Sequence, residues 1–334
     1  MGISKTIARK IVLPFLVLFK VDKLLLSGAK KKCLIVNFHG VSDVIGNRFN
    51  NRHLHVNEFE KVLIYLKQNF KIVGLREIFE IHRSGKQPKE KTIALTFDDG
   101  YVNNFSIALP VLKKHNIPAT FYLISKGLVD DSYYVWPDII DLIQRNVKEN
   151  IVLDGTVFSY PGFYSDKLKM NLVDFLKSCG SSREKYIKEL TNKYSFHLEM
   201  AKNYPQLIEL IRKNEFTKYA NEPLIEYGSH THTHFNLEYL TISECEAELT
   251  ESKRIIEEFT GKNPVSLAFP DGSYSKETLE VAAKAGYKNL VAVTYKFNEA
   301  NKDPNLLSRF TISNSTTWQS NALRLGAEFK KFAF

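Results

Sequence analysis

The chain is expected to fold as an α/β domain around a mainly parallel sheet, and three observations carry that expectation. Runs of strand length alternate with segments of helical spacing along much of the 334 residues. Each of those runs is compact and apolar, as a buried strand requires. The composition, 44% apolar and 25% charged, is that of an ordinary globular protein long enough to bury a full core, as one barrel or as two domains.

The elements follow in order. Cys33 to Gly40 reads as a buried strand ending in a turn. Asn57 to Gln68 has helical spacing through Phe59, Val62, Leu63 and Leu66, and Val73 to His82 repeats it around Leu75, Ile78 and Phe79. Thr92 to Leu95 is the next strand, followed by a helix from about Phe105 to His115 and a strand over Pro118 to Ile124. Between about 125 and 223 the rhythm changes to helical stretches over Pro137–Val147, Ser165–Cys179, Arg183–Tyr194 and Pro205–Lys213, read as a largely helical insertion. Alternation then resumes, with helices over Ser243–Phe259 and Lys276–Ala285 and extended runs at Val265–Phe269, Leu290–Thr294 and Leu306–Ile312. No repeat or low-complexity linker interrupts residues 33–334, which are read as one unit.

Charge and cysteine usage exclude several function classes. The net charge of +9 is concentrated in residues 1–32, where Lys5, Arg9, Lys10, Lys20, Lys23 and Lys30 to Lys32 face only Asp22. With the apolar run Ile11 to Phe19, this segment reads either as a basic amphipathic element on an anionic membrane surface or as a packed N-terminal helix with solvated lysines. Elsewhere the charges are mixed and no nucleic-acid motif appears, so nucleic acid is not an expected partner. No apolar run reaches the roughly 20 residues that span a bilayer. Cys33, Cys179 and Cys245 are scattered and odd in number, which suggests no disulfide framework. The expected location is cytoplasmic, peripheral on the inner membrane face in the first reading of the N-terminus. Export through an uncleaved N-terminal signal stays open, because a charged start and apolar centre occur without a small-residue cleavage site.

Chemistry concentrates in two short stretches. Thr96-Phe97-Asp98-Asp99-Gly100 follows a strand, and adjacent carboxylates there repel unless a cation or proton holds them together. His230-Thr231-His232-Thr233-His234 offers three imidazoles in five residues. Histidine nitrogen with carboxylate oxygen suits zinc or a similar divalent ion, and three protein ligands leave a position open for water.

These stretches resemble the first two signature motifs of the polysaccharide deacetylase (NodB-homology, family 4 carbohydrate esterase) family. Leu267-Ala268-Phe269-Pro270-Asp271-Gly272 resembles the third, so the likeness runs over most of the chain, from about Thr92 to Arg309. The resemblance implies a distorted, incomplete (β/α) barrel. It also implies one divalent metal ion, zinc by its donor preference, on Asp99, His230 and His234, with Asp98 as general base and His232 as the spare imidazole. The usual general-acid histidine near the C-terminus is missing, since no histidine follows His234. His39, in Val36-Asn37-Phe38-His39-Gly40-Val41, resembles the N-terminal segment of members with permuted motifs and is the candidate acid, the alternative being a turn histidine without a role. His53 and His55 are weaker candidates. Ala268 stands where many members carry an arginine that orients the catalytic aspartate, and Arg309 is a candidate replacement or a structural arginine. Pro270 and Asp271 are candidates for orienting or contacting substrate, with a backbone N–H near Asp271 helping to hold an oxyanion. Tyr133, Tyr134 and Trp136 either stack on a sugar ring or pack in the core.

The implied activity is metal-dependent hydrolysis of a carbon–nitrogen bond, removing N-acetyl or N-formyl from an amino sugar in a polysaccharide or lipid-linked glycan. The expected partner is therefore an N-acylated carbohydrate. An inactive glycan-binding member, or a deacylase of a non-carbohydrate amide or O-acetyl ester, stands as the alternative.

Overall fold

In a computed structural model the chain is described over residues 16–17, 19–44, 50–293, 303–312, 314 and 316–330. Seven parallel strands close into a barrel in chain order: β1 (Cys33–Phe38), β2 (Thr92–Phe97), β3 (Ala119–Leu123), β4 (Ile225–Ser229), β5 (Ser266–Ala268), β6 (Asn289–Ala292) and β7 (Leu306–Thr311). Closure is set by β1, which pairs with β2 through Val36 opposite Leu95 and with β7 through Ile35 opposite Arg309. One strand fewer than eight makes the barrel incomplete in the sense the motifs imply. A two-residue strand, Lys71–Ile72, adds to the outside of β2.

Strand alternation divides the core in two. Val36, Leu95, Phe97 and Phe121 face outward against helices Val56–Asn69 and Leu109–His115, in a cluster that includes Phe59, Leu63 and Leu112. Ile35, Ala94, Tyr122, Ala268 and Val291 face inward, where they meet Leu75, Ile78 and Phe79 of helix Leu75–Arg83. That helix plugs the end of the barrel at which the strands start, so only the end at which they finish is left to build a site. Arg83 fastens it by donating to the Lys288 carbonyl (3.2 Å) and to Asn289 Oδ1 (3.0 Å).

Residues 125–223, between β3 and β4, carry helices Trp136–Asn146, Leu172–Ser178, Arg183–Lys193 and Phe196–Asn203 and a core of their own around Ile140, Phe158, Leu172 and Leu190. Two readings of this region need correction. Residues 151–171 hold two short antiparallel pairs, Ile151–Leu153 with Thr156–Phe158 and Tyr164–Ser165 with Met170–Asn171, so the expected helix over Ser165–Cys179 starts only at Leu172. Pro205–Lys213 begins with a 3-10 turn over Pro205–Leu207 and is not a helix beyond it, because the backbone there pairs with residues 100–102: the Glu209 carbonyl accepts from Val102 N–H (2.9 Å) and Ile211 N–H donates to the Gly100 carbonyl (2.9 Å) around the Tyr101–Leu210 bridge.

Residues 1–15 and 18 of the basic N-terminal segment lie outside the described residues. Its remainder includes helix Val21–Ser27, which packs beside helix Trp318–Lys330 with Leu26 buried and Phe19 and Leu24 exposed. Among the described residues no helix is long and apolar enough to cross a membrane.

Candidate active site

The strand-finishing end of the barrel gathers the titratable side chains into two adjoining groups. The first is built by strand closure. Asn37 of β1, Thr96 and Asp98 along β2, and Arg309 of β7 all point inward by alternation, and adjacent strands bring them together. Arg309 grips Asp98 bidentately, Nη1 to Oδ1 at 2.6 Å and Nη2 to Oδ2 at 2.8 Å, while Asn37 Nδ2 donates to Oδ2 at 3.0 Å. Asn37 Oδ1 in turn accepts from Arg309 Nη1 (2.9 Å) and Thr96 Oγ1 (2.9 Å). Burial by itself would push the Asp98 carboxyl up, but the Arg309 guanidinium overrides it and holds the group well below the usual carboxylate range. Arg309 thus supplies the cation beside Asp98. His39 Nε2 lies 3.9 Å from Asp98 Oδ2, and burial pushes this imidazole down to about 4 although Asp98 pulls the other way.

The second group depends on turns. Asp99 and Gly100 both adopt left-handed backbone, φ 71° and 74°, which swings the Asp99 carboxylate away from its neighbour. A Cβ at Gly100 would stand 3.3 Å from the Cα of Leu123, so glycine also lets the turn lie against β3. His230 and His234 Nε2 lie 3.6 and 3.4 Å from Asp99 Oδ1, and one ligand atom from each of the three residues fits within 4.8 Å of the others. All three side chains are buried. The Ala268 carbonyl accepts from His230 Nδ1 at 2.8 Å, which fixes the tautomer and leaves the Nε2 lone pair directed at the cluster. Burial and the adjacent Asp98 push the Asp99 carboxyl up to about 8. Two imidazole nitrogens and a carboxylate in this setting fit a divalent ion.

The histidine loop is held from both sides. Glu248, buried on helix Ile242–Thr260, accepts from the His232 and Thr233 N–H groups (3.0 and 2.8 Å) through Oε2 and from Thr233 Oγ1 (2.6 Å) through Oε1. From the insertion, Tyr133 Oη donates to the Thr233 carbonyl (2.9 Å), and Trp136 Nε1 and Arg183 Nη2 to that of His234 (3.4 and 3.2 Å). Behind Asp99, Tyr101 donates to the buried Asp138 (2.8 Å), which also receives Arg52.

The remaining candidates are placed as follows. Tyr133 and Trp136 are turned toward the loop carbonyls and are not a sugar platform, and Tyr134 packs beside His197 and Arg212. His232 meets Ser125 Oγ through Nδ1 (2.8 Å), outside the triad. His53 is buried with its ring 4.7 Å from that of Tyr101, and His55 caps helix Val56–Asn69 by accepting from Asn57 N–H (3.2 Å). Pro270 is buried in a 3-10 turn, and Asp271, at φ 55°, pairs with Lys177 of the insertion (2.7 Å) at the rim. Sequence reasoning missed Glu248 and Arg183. A glutamate at an inward position of an otherwise amphipathic helix was the available signal for the first, since Cys245, Leu249 and Ser252 mark the same buried face.

A closed parallel barrel with an Arg-bound carboxylate, a nearby imidazole and a two-histidine, one-carboxylate cluster at its strand-finishing mouth has the make-up of a hydrolase site. The polysaccharide deacetylase family model matches residues 85–172 and 180–290, and the chain belongs to that family. It is 23% identical over 285 residues to YxkH of Bacillus subtilis, covering 84% of this chain and 72% of that protein. It is 27% identical over 192 residues to the poly-beta-1,6-N-acetyl-D-glucosamine N-deacetylase of Staphylococcus epidermidis, covering 53% of this chain and 62% of that protein. The deacetylase PplD of Streptococcus pyogenes, solved with acetate, shares the fold at a TM-score of 0.55 and 19% identity, over 88% of this chain and 98% of that one.

Proposed function

We propose that this chain is a metal-dependent hydrolase that removes the N-acetyl (or N-formyl) group from amino sugars of a polysaccharide or lipid-linked glycan. The observation that carries the reading is the juxtaposition of Asp98, held ionised by Arg309, with the Asp99–His230–His234 cluster at one barrel mouth. Retention of all four residues argues against an inactive glycan-binding member.

Asp99, His230 and His234 would hold a divalent ion, and the chemistry it would supply is Lewis acidity toward an amide carbonyl and a water. Asp98 accepts the proton of the attacking water, and its fixed position offsets its weak basicity. When the carbon–nitrogen bond breaks, the leaving nitrogen needs that proton. His39 Nε2, 3.9 Å from Asp98 Oδ2, is placed to take it from Asp98 and deliver it to the nitrogen. The order of proton affinities favours this direction: Asp98 lies below the usual range, His39 is at about 4, and an alkyl amine is far higher. A cleft of about 470 Å³ beside His39 is lined by Asn51, Arg52, Asp141, Thr311 and Arg324. Its donors and acceptors suit a hydroxyl-rich ligand. The Staphylococcus epidermidis relative supports a poly-N-acetylglucosamine substrate.

The test pairs metal content with acetate release from N-acetylglucosamine oligomers, for wild type and Asp98→Asn. Metal in both proteins with release only by wild type supports the reading, and the expected loss is ~10²- to 10⁴-fold. A folded wild type that binds no zinc overturns it.

A further inference from the structure

Three donors from the insertion converge on two consecutive carbonyls of the histidine loop. Tyr133 Oη reaches the Thr233 carbonyl at 2.9 Å, Trp136 Nε1 that of His234 at 3.4 Å, and Arg183 Nη2 both, at 3.3 and 3.2 Å. Arg183 is 3% exposed, and its guanidinium lies between two rings, 4.8 Å from the centroid of Trp136 and 4.1 Å from that of Phe235. It forms no ion pair with a carboxylate among the described residues, so a buried cation is spent on backbone carbonyls and aromatic faces. The carbonyls it meets belong to strained chain. Thr231 and His234 are non-glycine residues at φ 66° and 58°, a left-handed conformation that L side chains disfavour. At His234 this left-handed conformation turns the imidazole back toward Asp99, 3.4 Å away.

We propose that Arg183, with Tyr133 and Trp136, positions His234 for metal binding, so that the insertion is part of the metal centre as well as a wall of the substrate cleft. This rests on the metal-dependent reading given above. Without the insertion's donors the His234 carbonyl is released, the loop relaxes toward right-handed backbone, and the third ligand leaves the cluster. Glu248 accepts from the neighbouring N–H groups of His232 and Thr233, whereas the His234 carbonyl receives only the insertion's donors among the hydrogen bonds of the described residues. The two supports are therefore separable.

The test uses the full chain, stripped of metal and then titrated with zinc against a chromogenic chelator. Amide hydrogen exchange over residues 231–235 is measured beforehand in the metal-free protein. Arg183→Met is expected to weaken zinc binding at least tenfold and to speed exchange of the loop, with Arg183→Lys recovering part of both. Tyr133→Phe, which deletes one hydroxyl and nothing else, is expected to weaken zinc about threefold and decides the matter if Arg183→Met fails to fold. Wild-type zinc affinity and wild-type exchange in a folded Arg183→Met, or in Tyr133→Phe where it stands in, overturn the proposal. If wild type binds no zinc, the metal reading falls by itself. Exchange then still judges the brace: faster in the variants if the insertion holds the loop, unchanged if it does not.

Discussion

The two halves of the site solve one problem by opposite means. Asp98 is held from inside the barrel by Arg309 and Asn37, and Thr96 steadies Asn37 in turn by donating to its Oδ1. His230 is still oriented by a barrel strand, through the Ala268 carbonyl, but the loop that carries His234 is held from outside, by Glu248 on an outer helix and by Tyr133, Trp136 and Arg183 of the insertion. The base therefore inherits its geometry from strand register, which slips only if the barrel opens. The metal ligands inherit theirs from left-handed turns at Asp99, Thr231 and His234 that need continuous support. A site of this construction should lose chemistry when the inner half is altered and lose metal when the outer half is altered.

Arg309 gives the largest break. In Arg309→Met a buried carboxylate loses its cation, a change that typically costs about 3–5 kcal/mol of stability. The Asp98 pKa then climbs under the burial that Arg309 had overridden, and the base is protonated over more of the working range. Acetate release is expected to fall ~10²-fold or more at neutral pH, with the acid limb of the pH–rate profile displaced upward and zinc content unchanged. Arg309→Lys restores charge but not the fork and should recover only part of the rate. A variant that loses zinc as readily as activity would show the two halves to be coupled.

Glu248 sharpens the comparison from the other side. Glu248→Leu strands two buried N–H groups, those of His232 and Thr233, at a cost of about 1–3 kcal/mol each. Glu248→Gln is much milder, because its amide oxygen can serve both N–H groups while its NH₂ faces Thr233 Oγ1, which turns from donor to acceptor. Zinc affinity should follow that order, wild type above Gln above Leu, with thermal melts recording the same sequence. Equal affinities in folded Gln and Leu variants would remove Glu248 from the support of the loop.

The same division explains what the chain reveals before it is folded. Asp98, Asp99, His230 and His234 are legible because their spacing is local: a carboxylate pair after an apolar run and two imidazoles four residues apart. The strand–helix rhythm is legible for the same reason. Arg309 is suggested only by the motif position that Ala268 leaves empty; its contact with Asp98 spans 211 residues and exists because β7 closes on β1. Arg183 carries no local mark of function, since a surface-type residue on a helix reads as solvated until tertiary packing buries it, and the mark of Glu248 is faint, a lone carboxylate on the apolar face of its helix. The aromatic residues of the insertion mislead for a related reason. Tyr133 and Trp136 have the composition of a sugar platform, but their polar tips find buried carbonyls first. The hairpins within 151–171 escape notice because their strands, two or three residues long, are too short to show a period.

His39 yields the smallest effect on stability and the most specific effect on chemistry. Its folded pKa, about 4, lies below the ordinary histidine value near 6.5, so between those limits the unfolded chain binds more protons than the native one. Stability is therefore complete above about pH 6.5 and is lost progressively as the pH falls toward 4. His53, pushed down to about 3 by burial, adds to the same slope. Replacing His39 with Gln removes one contributor, so the melting temperature of the variant should decline less steeply over that interval. For catalysis the discriminating comparison is the leaving group. An amine must be protonated as it departs, whereas 4-nitrophenolate need not be. His39→Gln is expected to lower kcat on an N-acetylated amino sugar ~10²-fold while changing hydrolysis of 4-nitrophenyl acetate little. Equal losses on both would show that His39 shapes the mouth of the barrel and delivers no proton. A loss confined to the amide would assign to the first strand of this barrel a proton delivery that other members place near the C-terminus.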